Sequence, residues 1–290
     1  KSFVFNSSES EVTIDLGDQE NEDDRFSYGI LDGGHTYSAI MENRDRIPDN
    51  IEKYVRVEVI TNVSNITRLS DARNTSVQVS DIALFNLDDK FDYIKEAIKN
   101  EPYADKISYK DNEDKPIHIA ELLRLMYAFD IEKYPDDSAA PVQSYSGKAQ
   151  VFKRYKQAYD NSFYRSLTKE LPILVRLYDK IEQEMPSKYV DYKRALGVGI
   201  PRFGAVRGIE ISERGAKTEF FQTKTDYSIS SGYIFPIFGA FRSLLKYDEE
   251  NEKVIWIFNP MDIWDEIGTS LVQNTFETSS NPQLAGKDKQ

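Results

Sequence analysis

The chain has 290 residues, a formal net charge of −12 and 40% hydrophobic residues, including 16 Phe and 18 Tyr. That length suits one large domain or two ordinary ones with a real core, and the acidic balance opposes a general polyanion binder because the long-range field repels phosphate. Cysteine is absent, which excludes disulfides, thiol nucleophiles, zinc–thiolate sites and iron–sulfur clusters, and the two histidines, His35 and His118, are too few for a multi-histidine metal site.

In chain order, residues 3–5 and 12–14 alternate like a short strand pair. Residues 9–24 hold eight acids and no base, and 17–25 read as an acidic loop. Tyr28, Gly29, Ile30 and Leu31 read as a strand that meets an Asp32-Gly33-Gly34 turn, and a helix pattern through Ala39, Ile40 and Met41 follows. Two glycines at a strand-to-helix junction allow a sharp turn and close backbone approach. The new helix points its free N–H groups and the positive end of its dipole at the same spot. This junction is where local physics predicts an anion site, and the alternative is a plain turn with Thr36 or Asp32 as helix cap. A loop around Pro48 precedes residues 53–61, which alternate as a strand with the valines inward, so the β-α-β order implies a mixed sheet with helices packed on it.

Ser80 caps a predicted helix over 80–99, with Phe85, Phe91, Ile94 and Ile98 near helical spacing. Residues 107–109 read as a strand, and Pro116 starts a periodic helix over 117–129. The Pro-, Asp- and Ala-rich stretch 134–141 reads as a domain boundary, giving an α/β core over 1–134 and a helix-rich region over 141–290. Helices are expected at 147–159 and 162–185, where Pro172 either starts a new helix or kinks the old one. Residues 198–211 read as glycine-rich strand and loop, 231–247 as turn, apolar run and helix, 254–258 as a buried strand, and 261–276 as a final helix. The polar tail from Ser279 is expected to fray. No internal repeat is visible, and no apolar run approaches the roughly 18 residues that span a bilayer, so a cytoplasmic protein without a membrane partner is expected.

The junction Gly33-Gly34-His35-Thr36 resembles the Asp-Gly-Gln-His-Arg box of the ParB/sulfiredoxin-like superfamily. It is more closely similar to the Asn-Gly-x-Gln-Thr box of the AIPR family, the abortive-infection phage-resistance proteins of bacteria. Downstream, the strand-like 54–60 and the segment 66–80, with Asp71-Ala72-Arg73-Asn74 and Gln78-Val79, resemble the family's Ala-x-Asn-x-x-Gln-x-x-Val segment. The resemblance runs over about 26–100 and extends toward 155. His35 stands where AIPR proteins have Gln, and Thr36 where the ParB-like box has Arg. The resemblance therefore bears on fold more than on activity. It implies an α+β protein: a mixed β-sheet with a ParB/sulfiredoxin-like strand-turn-helix in the first half, and a mainly helical second half. It also implies an N-terminal part, upstream of Lys1, that completes the first sheet.

Three sites are candidates. At the first, the backbone amides of Asp32, Gly33, Gly34, His35 and Thr36 hold a phosphate with the Thr36 hydroxyl. The resemblance places Arg73 and Asn74 beside them, Arg73 balancing charge and His35 donating or relaying a proton. The plainer alternative pairs Arg73 with Asp71 or Asp32. At the second, Lys148, Lys153, Arg154, Lys156 and Arg165 interleave with Tyr145, Phe152, Tyr155, Tyr159, Phe163 and Tyr164, a pattern that grips a nucleic-acid strand or equally makes a core stripe with solvated lysines. The third is Arg202 and Arg207 on the glycine-rich stretch 201–208, a phosphate or acidic-partner contact or a surface turn.

Catalytic motifs are missing: there is no phosphate loop, nucleophile elbow or metalloprotease helix. Asp88-Asp89 and Asp136-Asp137 are magnesium candidates that charged loops explain better, and Glu113-Asp114-Lys115 imitates a nuclease core inside a turn. Catalytic residues and cofactor stay unassigned, a nucleotide with magnesium being compatible. The resemblance implies a bacterial phage-defence protein, and in that reading the 32–36 turn binds a nucleotide or nucleic-acid phosphate. The alternative is a non-enzymatic module that binds a protein partner. A metal-dependent nuclease, the third reading, requires three clustered carboxylates.

Overall fold

Alternation in the opening residues is realised as a hairpin. Strand β1 (Ser2–Asn6) pairs antiparallel with β2 (Glu11–Asp15), with Phe3 opposite Ile14 and Phe5 opposite Val12. The structure, a computed structural model, describes residues 2–6, 11–18, 20, 21, 24, 28–30, 33–48, 51, 54–61, 82, 85, 86, 88–110 and 113–287. Its contacts divide the chain into two units, Lys1–Gln78 and Val79–Gln290.

In the first unit, helix α1 (Gly34–Asn43) starts directly at the glycine turn and buries none of its residues. Two expectations are corrected here. Residues 28–30 form bends and coil, not a strand, and residues 54–61 carry no strand either. A strand needs a neighbour to satisfy its N–H and C=O groups, and none pairs with 54–61 among the described residues. The valines have no sheet face to cover, and Val57 is 71% exposed instead of inward. Of the predicted strand-turn-helix the described residues show the helix with Gly33 before it; Leu31 and Asp32 lie outside them.

The second unit is a helical assembly with small sheets. Its core runs from α2 (Asp92–Ile98) through α3 (Ile119–Ala128), α4 (Gln143–Ser146), α5 (Lys148–Ala158), α6 (Ser162–Lys169) and the long α7 (Leu171–Ala195). The hairpin β5 (Ile209–Lys217) and β6 (Lys224–Ile229) follows α7, with α8 (Ser231–Ala240) after it. A second hairpin, β7 (Leu245–Asp248) with β8 (Lys253–Trp256), leads to α9 (Pro260–Thr278) and the short α10 (Pro282–Ala285). The described strands form four separate two-stranded sheets; the parallel pair is β3 (Ile107–Ser108) with β4 (Ile117–His118). An α+β protein stands, but one mixed sheet does not.

Local chemistry explains most helix starts. Asn161 caps α6, its Oδ1 accepting from the Tyr164 amide at 3.0 Å, and Asn259 caps α9, accepting from Met261 at 2.9 Å. His118 caps α3 through Nδ1, which accepts from Ala120 at 3.2 Å, so Ile117 and His118 belong to a strand and the helix begins at Ile119. Pro172 sits in the first turn of α7, where its missing N–H is harmless, which settles the alternative in favour of a new helix. Pro186 lies inside α7 and removes the N–H that would bond the Glu182 carbonyl.

Three further expectations change. Ser80 lies outside the described residues, and the predicted 80–99 helix breaks at a turn over 88–91 where Asp89 takes φ 56°, so α2 starts only at Asp92. Strand β8 has one neighbour, so Val254 is buried while Ile255 and Phe258 are exposed; the segment is half-covered, not buried. The tail does not fray through 285. Pro282 and Ala285 are buried, and the Tyr233 hydroxyl reaches the Ser280 carbonyl at 2.8 Å. Residues 134–141 lie in the second unit, where Arg242 Nη2 donates to the Asp136 carbonyl at 3.1 Å.

Candidate functional site

Gly33 adopts a left-handed backbone, φ 88°, at the start of α1. Only glycine takes that conformation cheaply. The first intrahelical bond joins the Tyr37 amide to the Gly33 carbonyl at 2.9 Å. The amides of Gly34, His35 and Thr36 precede it and belong to the donors that a helix leaves unpaired at its start. Gly33 has no side chain with which to cap this end, and no acid occupies the first turn of the helix. The residue at the capping position is Gly33, and Thr36 lies inside the helix; Asp32, the other cap of the plain-turn reading, lies outside the described residues, as do Arg73 and Asn74. Gly33, Gly34, His35 and Thr36 are all exposed, and a Cβ on Gly34 meets nothing within 4 Å.

The cations of the second candidate are spread over three environments. Arg154 donates through Nε to Asp130 Oδ2 at 2.7 Å and through Nη2 to Glu132 at 3.2 Å. Lys148 pairs with Glu121 at 3.1 Å, and Arg165 with Asp160 at 2.9 Å while lying over the Tyr93 ring. Lys156 lies over Phe152, and Lys153 is exposed. The interleaved aromatics Phe152, Tyr155, Phe163 and Tyr164 are buried in the core, so their faces meet other rings: Phe91 stacks on Tyr155 at 5.7 Å and Phe152 meets Phe85 edge-on at 5.5 Å.

A cluster that the sequence did not announce lies beneath α3 and α7. Arg124 is buried, ion-paired with Glu121, and donates through Nε to the Ser144 carbonyl at 2.6 Å and through Nη2 to the Tyr145 carbonyl at 3.2 Å. Burial alone would raise the Glu121 carboxyl, but Arg124 and Lys148 outweigh it and hold it at about 2. Asp179 receives four hydrogen bonds, from Thr218 Oγ1, Gln183 Nε2 and the amides of Phe220 and Phe221. Glu182 Oε2 accepts from the Glu219 amide at 2.9 Å. Burial pushes Glu182 up to about 8, with Asp179 and Glu219 adding repulsion. Burial and the charge of Glu121 push Glu219 to about 7. Burial thus raises the carboxyls of Glu182 and Glu219 well above the usual carboxylate range, while the two cations hold Glu121 below it. The available sequence signal was Asp179 and Glu182 on the same helical stripe as Val175, Tyr178 and Ile181.

The remaining acidic motifs serve turns. Glu113 accepts from the Tyr109 amide, Lys115 donates to the Ile107 carbonyl, and Asp136 accepts from the Ser138 amide. Among the described residues no three His, Asp or Glu side chains gather as a metal would require. No described helix is long and apolar enough to cross a membrane. Of the third candidate, Arg202 lines a groove beside α7, and Arg207 accepts from the Tyr233 hydroxyl through its carbonyl at 3.0 Å.

A family model described as AIPR protein matches residues 1–284. No curated protein and no solved structure matches the chain.

Proposed function

The chain belongs to the AIPR family, and on that premise, which suggests a bacterial phage-defence role, we propose that its first unit binds the phosphate of a nucleotide or nucleic acid at the 32–36 turn. The carrying observation is the start of α1: a left-handed Gly33 at the capping position, which has no side chain of its own to cap the amides, and no acid in the first turn. An uncapped helix start presents amide donors and positive dipole to an anion. The Thr36 hydroxyl adds a donor, and Arg73 and Asn74 complete the proposed contacts.

The test is a thermal-shift panel at low salt with nucleoside triphosphates plus magnesium and short oligonucleotides, on the wild type and Gly34→Val. Gly34 has ordinary backbone angles and open space at its Cβ, so valine leaves the turn intact and obstructs only close approach of a ligand. A ligand at 100-fold its dissociation constant stabilises by about 2.7 kcal/mol. A shift lost in Gly34→Val supports the site; equal shifts in both proteins reject it.

A second reading, a protein-interaction module without enzymatic activity, is favoured by one observation. In the first unit Tyr54 is 85% exposed and Val57 71%, with Ile30 and Tyr37 also half-exposed. Single exposed apolar residues are normal, but a series of them suits a partner surface. Sedimentation at rising concentration, with Tyr54→Lys and Val57→Lys, tests whether these residues drive association.

A further inference from the structure

A groove of about 600 Å³ opens in the second unit between the C-terminal half of α7, the 201–205 turn and the β5–β6 hairpin. Its apolar walls include Val190, Ile211 and Tyr227, and its polar groups include Arg194, Arg202 and Asp191. The walls are set by packing. Phe203 is buried against Tyr189 and Tyr227, with ring centroids 5.1 and 5.2 Å apart. A Cβ on Gly204 would lie 2.5 Å from the Ile211 side chain, so glycine lets the turn lie close on the hairpin.

The two guanidiniums distinguish this groove. Arg124, Arg154, Arg165 and Arg176 each grip a carboxylate. Arg194 and Arg202 have no such partner among the described residues, although the chain carries twelve more acids than bases. Two unpaired arginines on one concavity suit planar, multidentate oxyanion recognition. The volume lies within the range of small-molecule sites, which combine apolar walls with a few polar groups.

We infer that this groove binds a nucleoside phosphate: the phosphate meets Arg194 and Arg202, the base lies against Tyr227 and the apolar wall, and the Asp191 carboxylate accepts from a sugar hydroxyl. This site is separate from the 32–36 turn and stands whether or not that turn binds phosphate. Bulk phosphate has no group for the apolar wall, and a free nucleoside has none for the arginines, so each half binds more weakly than the whole. The same chemistry is offered by a free nucleotide or by the phosphorylated end of a strand.

The experiment is calorimetric titration of the full chain at low salt with AMP, adenosine, inorganic phosphate and a 5′-phosphorylated pentadeoxyadenylate, on wild type, Arg194→Gln/Arg202→Gln and Gly34→Val. The expected result is AMP bound at least tenfold tighter than adenosine or phosphate, at least tenfold weakening of that binding in the double variant, and an arginine-dependent binding step that persists in Gly34→Val whether or not a second step is lost there. Both arginines are exposed and unpartnered, so the double variant keeps its melting temperature. Binding of the pentanucleotide alone, with the same arginine dependence, supports the strand-end source. AMP binding that survives the double variant but fails in Gly34→Val overturns the groove and leaves the turn standing. Absence of arginine-dependent binding by any of the four probes overturns the groove outright.

Discussion

Arg154 and Asp130 form a two-point ion pair at the end of α3: Nε donates to Oδ2 at 2.7 Å and Nη2 to Oδ1 at 3.2 Å. Asp130 is fully buried and also accepts from the Tyr164 hydroxyl at 2.9 Å and the Lys133 amide at 3.1 Å. It therefore ties α3, α5 and α6 together. Removing Arg154 strands the buried Asp130 carboxylate; a fully buried pair broken in this way costs about 3–5 kcal/mol, and the partly exposed Arg154 places this one below that range. Asp130→Asn is expected to lower the urea midpoint accordingly. Arg154→Ala should also lower stability, with little effect on oligonucleotide affinity. A stable Arg154→Ala protein that loses oligonucleotide binding would return the 148–165 stretch to the status of a strand-binding surface.

The Glu182–Glu219 pair makes stability fall with rising pH. Both carboxyls are raised in the folded state, to about 8 and about 7, against about 4.3 in an unfolded chain. Between those values the folded state holds protons that the unfolded state releases, so raising pH favours unfolding. The contribution is complete below about pH 4 and lost by about pH 8. Glu182→Gln keeps an oxygen acceptor for the Glu219 amide and removes the titration. It should raise the melting temperature at pH 8.5 by several degrees, change it little at pH 5, and flatten the slope between. An unchanged slope would show that Glu182 is ionised throughout.

Gly33 and Gly34 should respond oppositely to alanine. Gly33→Ala forces a Cβ into the left-handed region and is expected to cost about 1–2 kcal/mol. Gly34→Ala adds a better helix former in open space and should be neutral or stabilising by about 0.4–1 kcal/mol. Hydrogen exchange of the α1 amides from Tyr37 onward reads the difference directly.

Gly232 is the contact point for the tail. A Cβ there would lie 2.1 Å from the Pro282 carbonyl oxygen, a backbone atom that cannot rotate away. Gly232→Ala should lift residues 280–286 from α8, destabilise by about 1–3 kcal/mol, and speed hydrogen exchange at Leu284 and Gly286. If exchange there is unaltered, the tail tolerates the methyl group and the contact is looser than it stands.

Elements governed by neighbours in sequence were legible. Alternating Phe3, Phe5, Val12 and Ile14 gave the first hairpin, and periodic apolar residues gave the helix that includes Leu122, Leu123 and Met126. Elements governed by distant partners were not. Alternation at 54–61 could not reveal that no strand pairs with it among the described residues, and nothing near Asp89 announced a left-handed turn. The glycine turn was legible as a helix start, but its ligand contacts depend on Arg73 and Asn74, outside the described residues. The groove was half legible: Arg202 lies on the glycine-rich stretch 201–208, whereas Arg194 and Tyr227 join it only once α7 and the hairpin are packed. The buried acids escaped because Glu219 lies far along the chain from Asp179 and Glu182.

The docking of residues 280–286 also fixes an order of events during synthesis. Tyr233 needs the Ser280 carbonyl, and the Gly232 surface needs Pro282. A nascent chain still holding these residues in the ribosomal tunnel presents α8 with its outer face bare. The second unit can therefore gather its core early but closes only after residue 286 emerges, which makes this interval the one in which a chaperone, or a second nascent chain, has access to it.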